Sequence, residues 1–197
     1  MKRVFTAFPL LIGLLAGCQY DPPVAHVGPI DEVYGQIAGR SPMPDRVRFA
    51  PGQDAPQDVA PVSATGRFSL PLPTFSGGQP SIATTGCEGN VVSQNASARF
   101  QKLDHVELQV FRDGVALGTI RNRVERAVGS EEYLFVYTSA ATTVRGSQRC
   151  PALNDGGAFT ETYDLTLPAG WTVVRRVVTA DDVRITSVRV PTIVTWS

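Results

Sequence analysis

Histidine comes first among the residues that could do chemistry, because imidazole is the usual general base near neutral pH. The chain has two, His26 and His105. His26 lies in a proline-rich stretch, so we expect a solvated side chain. His105 follows Asp104, but neighbouring residues of a strand point to opposite faces, and the sequence has no Gly-x-Ser-x-Gly nucleophile elbow. We therefore expect an ordinary polar histidine where a strand begins, and a hydrolase is the weakest functional hypothesis.

Acidic neighbours are the other candidates for acid–base work, at Glu131-Glu132 and Asp181-Asp182. Glycosidase chemistry needs two carboxyls that face each other across a cleft. Residues adjacent in sequence do not meet that need, so both pairs are predicted to be solvated turn residues. The stretch Asn154-Asp155-Gly156-Gly157 offers oxygen ligands for calcium but lacks the ligand number of an EF-hand loop. Two histidines are too few for a zinc or copper centre built on imidazoles. We predict no catalytic residue, no metal and no cofactor.

Aromatic residues offer a different chemistry, the stacking of a sugar ring. Trp171 and Trp196 are the candidate ligand-binding residues on this hypothesis. Tyr133, Phe135 and Tyr137 alternate on one side of a predicted strand, which is more typical of a core. No phosphate-binding loop or nucleotide fingerprint occurs in the sequence.

The start of the chain indicates export. A charged beginning, Met1-Lys2-Arg3, precedes an apolar run that is too short to span a bilayer, which needs about 20 residues. The run ends in Leu15-Ala16-Gly17-Cys18, which resembles the lipobox of bacterial lipoproteins. The resemblance implies that the chain is cut before Cys18 and that this cysteine is diacylated on sulfur. An ordinary secretory signal with a chance cysteine is the alternative. Gln19, in place of Asp, implies the outer membrane where the host has two membranes.

Two cysteines remain once Cys18 is assigned to lipid. In an exported protein, one remaining pair predicts a disulfide, here between Cys87 and Cys150. Two buried free thiols are the alternative. Lys2 and Arg3 leave with the signal, so the 18 basic and 18 acidic residues of the chain become 16 and 18. These charges are interspersed, and nucleic acid is therefore excluded as a partner, since it requires a basic face.

The elements are predicted to be strands, because apolar residues alternate and β-branched residues are frequent. Val106 to Ile120 form a hairpin about Asp113-Gly114, the strongest short hairpin signal. Pro71 predicts an edge position for its strand. Residues 51–61 and 74–98 are predicted loops, and 121–129 is the one stretch predicted to form a helical turn. Other strands are predicted at 33–38, 46–50, 66–73, 132–140, 142–148, 159–167, 171–179, 183–190 and 193–196. An all-β, antiparallel, Greek-key-like β-sandwich with little helix follows.

Two further resemblances concern the strands. Val33-x-Gly-x-Ile37, a middle strand and Gly66-x-Phe-x-Leu-x-Leu-Pro73 are similar to the carboxypeptidase-regulatory-like or transthyretin-like β-sandwich, which implies a small non-catalytic domain. The same strand and Leu165-Thr-Leu-Pro-Ala-Gly-Trp171 are similar to uncharacterised lipoproteins of the Deinococcus type.

The predicted organisation is a signal peptide at 1–17, a lipidated N-terminus and tether at 18–30, and one β-rich domain at 31–197. We expect a lipid-anchored cell-envelope protein, not an enzyme, that acts as a structural or partner-binding module. It would contact a membrane through its lipid and an envelope protein through its domain. The alternative is a protein that binds a surface glycan or a small ligand.

Overall fold

The computed structural model describes residues 29–53, 55–75, 77–151, 157–187 and 193–197. Within these residues the chain forms fifteen strands and no helix. No helix that could span a membrane is therefore found in this part of the chain. The first eight strands are β1 Glu32–Ile37, β2 Arg46–Phe49, β3 Ala60–Pro61, β4 Arg67–Pro71, β5 Glu88–Ser93, β6 Phe100–Leu103, β7 Glu107–Arg112 and β8 Val115–Arg121. The other seven are β9 Val124–Glu125, β10 Ser130–Thr138, β11 Thr142–Cys150, β12 Phe159–Leu167, β13 Gly170–Val178, β14 Asp182–Ser187 and β15 Val194–Trp196.

The strands form three sheets. A small sheet has the order β15–β1–β4, and a four-stranded sheet has the order β3–β2–β7–β8. The large sheet has the order β5–β11–β12–β14–β13–β10–β6, with β9 beside β10. The predicted fold class, an all-β protein consistent with a β-sandwich, is confirmed. The pairing is not wholly antiparallel, because β1–β15 and β12–β14 are parallel.

The first core lies between the small and four-stranded sheets and one face of the large sheet. Val33, Phe49, Leu108 and Trp196 are among its buried side chains, and Phe135 reaches it from β10. At one corner Arg121 and Ser197 exchange backbone hydrogen bonds of 3.1 and 3.0 Å, which joins β8 to the residue after β15. This contact closes the two smaller sheets around the core.

The second core lies on the opposite face of the large sheet. Leu134, Val136 and Val174 project to it, because they alternate with the residues that face the first core. The segment from Gln79 to Phe100 covers this core: Gln79 and Phe100 form an isolated bridge, and Ile82 is buried. The chain between β4 and β6 therefore acts as part of the wall of the core.

The large sheet has two different ends, a near end and a far end. The near end contains the turns 139–141 and 168–169 and the residues that follow β5 and precede β6. Ile30, close to the first described residue, donates its backbone N–H to the Trp171 carbonyl at this end, over 2.8 Å. The far end contains the β13–β14 turn and the start of β10.

Some predicted elements are wrong. The predicted loop at 74–98 contains β5, which pairs with β11 over six residues although Glu88-Gly89-Asn90 has low strand propensity. The predicted helical turn at 121–129 is instead β9 and a tight turn, in which Arg126 N–H bonds the Gly129 carbonyl over 2.9 Å. Gly129 has a φ of +80°, and a Cβ there would lie 1.7 Å from the Val178 carbonyl oxygen. In both segments, packing against strands that are distant in sequence determines the backbone conformation.

The edge and hairpin predictions are confirmed. Pro71 lies on β4, the edge strand of the small sheet. Asp113 and Gly114 have φ angles of 50° and 78°, as a two-residue turn that joins twisted strands requires. The loop predicted at 51–61 ends in the short strand β3.

Candidate functional site

The most strongly perturbed acidic group is Glu132 on β10. Its side chain is 6% exposed, and its Oε1 accepts a hydrogen bond of 2.6 Å from Arg176 Nη1, directly opposite on β13. Burial raises the pKa of Glu132, but the nearby His105 side chain and the hydrogen bond from Arg176 outweigh burial and lower the pKa from 4.5 to about 2. Glu132 is therefore a buried carboxylate that stays ionised at neutral pH and lies between Arg176 and His105.

His105 lies in the turn between β6 and β7. Its Nδ1 is 3.6 Å from Glu132 Oε1, while 62% of its side chain is exposed. Its φ of 49° is uncommon for a residue other than glycine, and it brings the ring to the buried carboxylate. A carboxylate at Nδ1 leaves Nε2 directed away from the pair, the arrangement found in proton-transfer dyads. Here the carboxylate also bonds Arg176, so it serves as an ion-pair centre as well as a partner for imidazole.

Glu131, the neighbour of Glu132, lies on the opposite face of β10. Its Oε2 accepts hydrogen bonds from Arg175 at 2.9 Å and Arg126 at 3.0 Å. The bond from Arg175 lowers the pKa of Glu131, against the effect of burial, and Arg126 adds to the lowering. The prediction of a solvated pair is therefore wrong for Glu131-Glu132, because both carboxylates lie inside a strand and are paired with arginine. Asp181 and Asp182 are exposed at the β13–β14 turn, as predicted.

Glu161 on β12 is, after Glu132, a second buried carboxyl. It is 4% exposed, and its Oε2 accepts hydrogen bonds from three neutral donors. These are Gln148 Nε2 at 2.7 Å, Thr84 Oγ1 at 2.8 Å and the Tyr163 hydroxyl at 2.8 Å. Burial and the charge of Glu161 raise the pKa of Tyr163. The cluster holds the covering segment, through Thr84, against the large sheet.

The two tryptophans proposed as ligand-binding residues are buried. Trp171 is 4% exposed, and its Nε1 donates to the Pro73 carbonyl over 2.8 Å. Trp196 is 0% exposed and packs edge to face with Phe68, their centroids 6.1 Å apart. Neither indole presents a face to solvent, so sugar stacking on Trp171 or Trp196 does not fit the structure. Phe135 and Tyr163 are also core residues.

An aromatic cluster does reach the surface at the near end. Phe75 and Tyr137, both partly buried, pack against Trp171 with centroid distances of 5.4 and 5.6 Å. An open depression of about 460 Å³ occupies another part of the near end. Its lining carries amides, hydroxyls and apolar groups without a formal charge: Gln94, Asn95, Ala141, Thr142, Thr143, Thr166, Leu167 and Pro168.

The disulfide predicted from the sequence is present between Cys87 and Cys150. It links the residue before β5 to the end of β11. Cys18, His26 and residues 154–156 of the proposed calcium-binding turn lie outside the described residues. Among the residues that the structure describes, no group of three or more His, Cys, Asp or Glu side chains is arranged to hold a metal ion.

Two buried acids escaped prediction, although the sequence carried a signal for each. Phe159, Tyr163, Leu165 and Leu167 lie at alternate positions of the predicted strand 159–167, and the same alternation puts Glu161 on their face. Glu131-Glu132 lies on β10 and Arg175-Arg176 lies on its neighbour β13. Opposite charges can therefore pair across these two strands.

Comparison of the chain with models of protein families, with curated proteins and with solved structures finds no significant match.

Proposed function

We propose that this protein is a lipid-anchored protein of the cell envelope, in which a β-sandwich acts as a structural or partner-binding module and not as an enzyme. The observation that supports a non-catalytic role is the state of the buried acids. Glu131 and Glu132 are held by arginines, and Glu161 bonds Thr84 on the covering segment. Each carboxylate thus contributes to holding strands or segments together.

The lipid anchor is supported by Leu15-Ala16-Gly17-Cys18 and by the chain that follows. Eleven residues lie between Cys18 and Ile30, which is fixed to the large sheet, and the stretch from Cys18 to Ile30 spans at most about 40 Å. A doubly acylated Cys18 would anchor the domain stably close to a bilayer.

The anchor is tested by mass spectrometry of the mature protein and by membrane fractionation. We expect an N-terminus at Cys18 that carries acyl chains, and release of the Cys18→Ala protein from the membrane fraction. A chain that starts elsewhere, or an unmodified Cys18, would overturn this part of the proposal.

Partner binding is supported by two edge strands that carry exposed valines. Val92 on β5 and Val115 on β8 are 50% and 65% exposed, and each strand lies at the edge of its sheet. An edge strand offers unpaired backbone groups to an added strand. Photo-crosslinking residues at Val92 and Val115 should trap the same defined envelope protein in native membranes. The matched control is Val128, 69% exposed in a turn. Equal labelling from all three positions would contradict a specific edge contact.

The alternative, a glycan or small-ligand binding protein, is supported by the depression at the near end. Its amides and hydroxyls suit a neutral, hydroxyl-rich ligand, and the Thr143 hydroxyl oxygen is buried without a hydrogen-bond partner among the described residues. Calorimetry against a panel of neutral oligosaccharides tests it. Binding that is lost in Gln94→Ala and kept in Gln57→Ala, an exposed glutamine elsewhere, would favour this alternative over the leading proposal.

A further inference from the structure

The near end of the large sheet is almost free of charge. Five described segments form it: 29–30, 73–80 without residue 76, 94–99, 139–141 and 168–170. They consist of Pro, Gly, Ala, Ser, Thr, Gln and Asn with single aromatic and aliphatic residues, and Arg99 is their only formal charge. The exposed Asp31 directly follows the first of these segments, at the border of the near end. The guanidinium of Arg99 donates to the carbonyls of Ala96 and Ala98, at 3.3 and 3.0 Å.

The far end has the opposite character. Asp181, in the turn between β13 and β14, and Asp182, the first residue of β14, are exposed, and so is Glu88 at the start of β5. Glu125 pairs with Arg123 on the surface, where their side chains are 71% and 40% exposed. The chain therefore separates its surface charge along the axis of the large sheet, although its sequence shows no charge run.

The near end is also where the N-terminal segment leaves the fold. Ile30 bonds Trp171, and Pro29 lies beside Gly170, so the chain toward Cys18 departs from the uncharged surface. Phe75 and Tyr137 reach the surface at the same end. Tyr and Trp are the side chains that favour the interface between lipid and water.

We propose that the near end is a membrane-contacting surface, which rests on the headgroups of the bilayer that holds the lipid anchor, while the charged far end points away from it. This inference rests on the proposed anchoring at Cys18. The occupant of the surface is the bilayer itself, because the tether starts there and limits the distance to about 40 Å.

The charge distribution gives the orientation its physical basis. A bilayer with anionic lipids carries a negative surface potential, which attracts Arg99. At the far end the exposed Arg149 and Arg184 offset the charges of Glu88 and Asp182, so the cost of dehydrating these charged groups matters more there than repulsion. Uncharged amides and hydroxyls exchange water for headgroup oxygens at little cost, whereas an ionised carboxylate loses hydration. Both effects favour contact through the near end.

The test uses fluorescent labels on single introduced cysteines at the two ends. Ala141→Cys labels the near end and Asp181→Cys, its matched control, labels the far end; both sites are exposed. The acylated protein, its N-terminal mass verified, is reconstituted in phosphatidylcholine–phosphatidylglycerol vesicles that contain headgroup-nitroxide lipid as quencher. We expect quenching at position 141 to exceed that at 181 several-fold. Equal quenching, or stronger quenching at 181, would overturn the proposal.

A second experiment tests the membrane-contacting surface independently of the lipid anchor at Cys18. The Cys18→Ser chain, with a hexahistidine tag inserted after residue 18, is held on vesicles that contain nickel-chelating lipid, and the two labels are compared again. Stronger quenching at 141 supports the membrane-contacting surface even if native Cys18 proves unmodified. Adding Ala169→Glu to the Ala141→Cys protein should reduce the difference on anionic vesicles. An unchanged difference would contradict the electrostatic basis and so overturn the proposal.

Discussion

Arg176 Nη1 lies 2.6 Å from Glu132 Oε1, and the two residues are direct partners across β13 and β10. Removing one member of a buried pair leaves the other charge uncompensated, which costs roughly 3–5 kcal/mol. Arg176→Met should therefore lower the free energy of unfolding, measured in urea, by about 3 kcal/mol. Arg184→Met, at an exposed position of β14, is the control and should change it by less than about 0.5 kcal/mol. Similar values for the two variants would show that the Glu132 pair does not stabilise the fold.

Acid should weaken the fold through Glu132. Because its pKa is about 2 in the folded protein and 4.5 ordinarily, its contribution is complete above pH 4.5 and is lost as the pH falls toward 2. The stability difference between the wild type and Glu132→Gln should shrink by roughly 2–3 kcal/mol across that window. Urea unfolding at a series of pH values measures it. Glu125→Gln, at an exposed carboxylate, should give a nearly constant difference, and a constant difference for Glu132→Gln would refute the prediction.

The disulfide should contribute strongly to stability because it closes a loop of 63 residues. Replacing Cys87 and Cys150 together by serine should lower the free energy of unfolding by about 4 kcal/mol in the chain-entropy model. Alkylation of the denatured protein should label neither cysteine without a reductant and both with one. Labelling of Cys87 and Cys150 in the absence of reductant would contradict the bridge.

The two tryptophans should respond differently to replacement by phenylalanine. Trp171→Phe removes the hydrogen bond from Nε1 to the Pro73 carbonyl, whereas Trp196 Nε1 is buried without a partner among the described residues. A net hydrogen bond is worth about 1 kcal/mol, so Trp171→Phe should be the more destabilising change by about that amount. Thermal and urea unfolding of the two variants measure the difference. A greater loss for Trp196→Phe would mean that ring packing outweighs the hydrogen bond.

Local patterns in the sequence predicted most of the strands, but among their pairings only the β7–β8 hairpin. Asp113-Gly114 specifies its turn through backbone conformation, so the β7–β8 hairpin was predictable from neighbouring residues alone. β5 was not, because Glu88-Gly89-Asn90 lacks strand propensity and pairs only because β11 and the disulfide hold it. The pairing of β1 with β15 joins residues about 160 positions apart, and no local signal encodes it.

The candidate site was the least predictable part. Sequence neighbours suggested that Glu131-Glu132 was exposed, because adjacent charges are usually solvated. Their burial depends on Arg175 and Arg176, which only the β10–β13 register brings opposite. Trp171 and Trp196 were proposed as ligand contacts from residue type alone, and residue type does not distinguish a buried indole from an exposed one.

The parallel pairing of β1 with β15 has a consequence for the order in which the molecule can be made. The small sheet takes one of its three strands from residues 194–196, and Trp196 fills the first core beside Phe68. While those residues remain inside a ribosome or a translocation channel, β1 and β4 have no third strand and the first core stays open to water. Long-range pairing of this kind forms late and slowly. The earlier strands must therefore stay soluble and unaggregated until residues 194–196 emerge, and any chaperone of this protein would have to act on that unfinished sandwich.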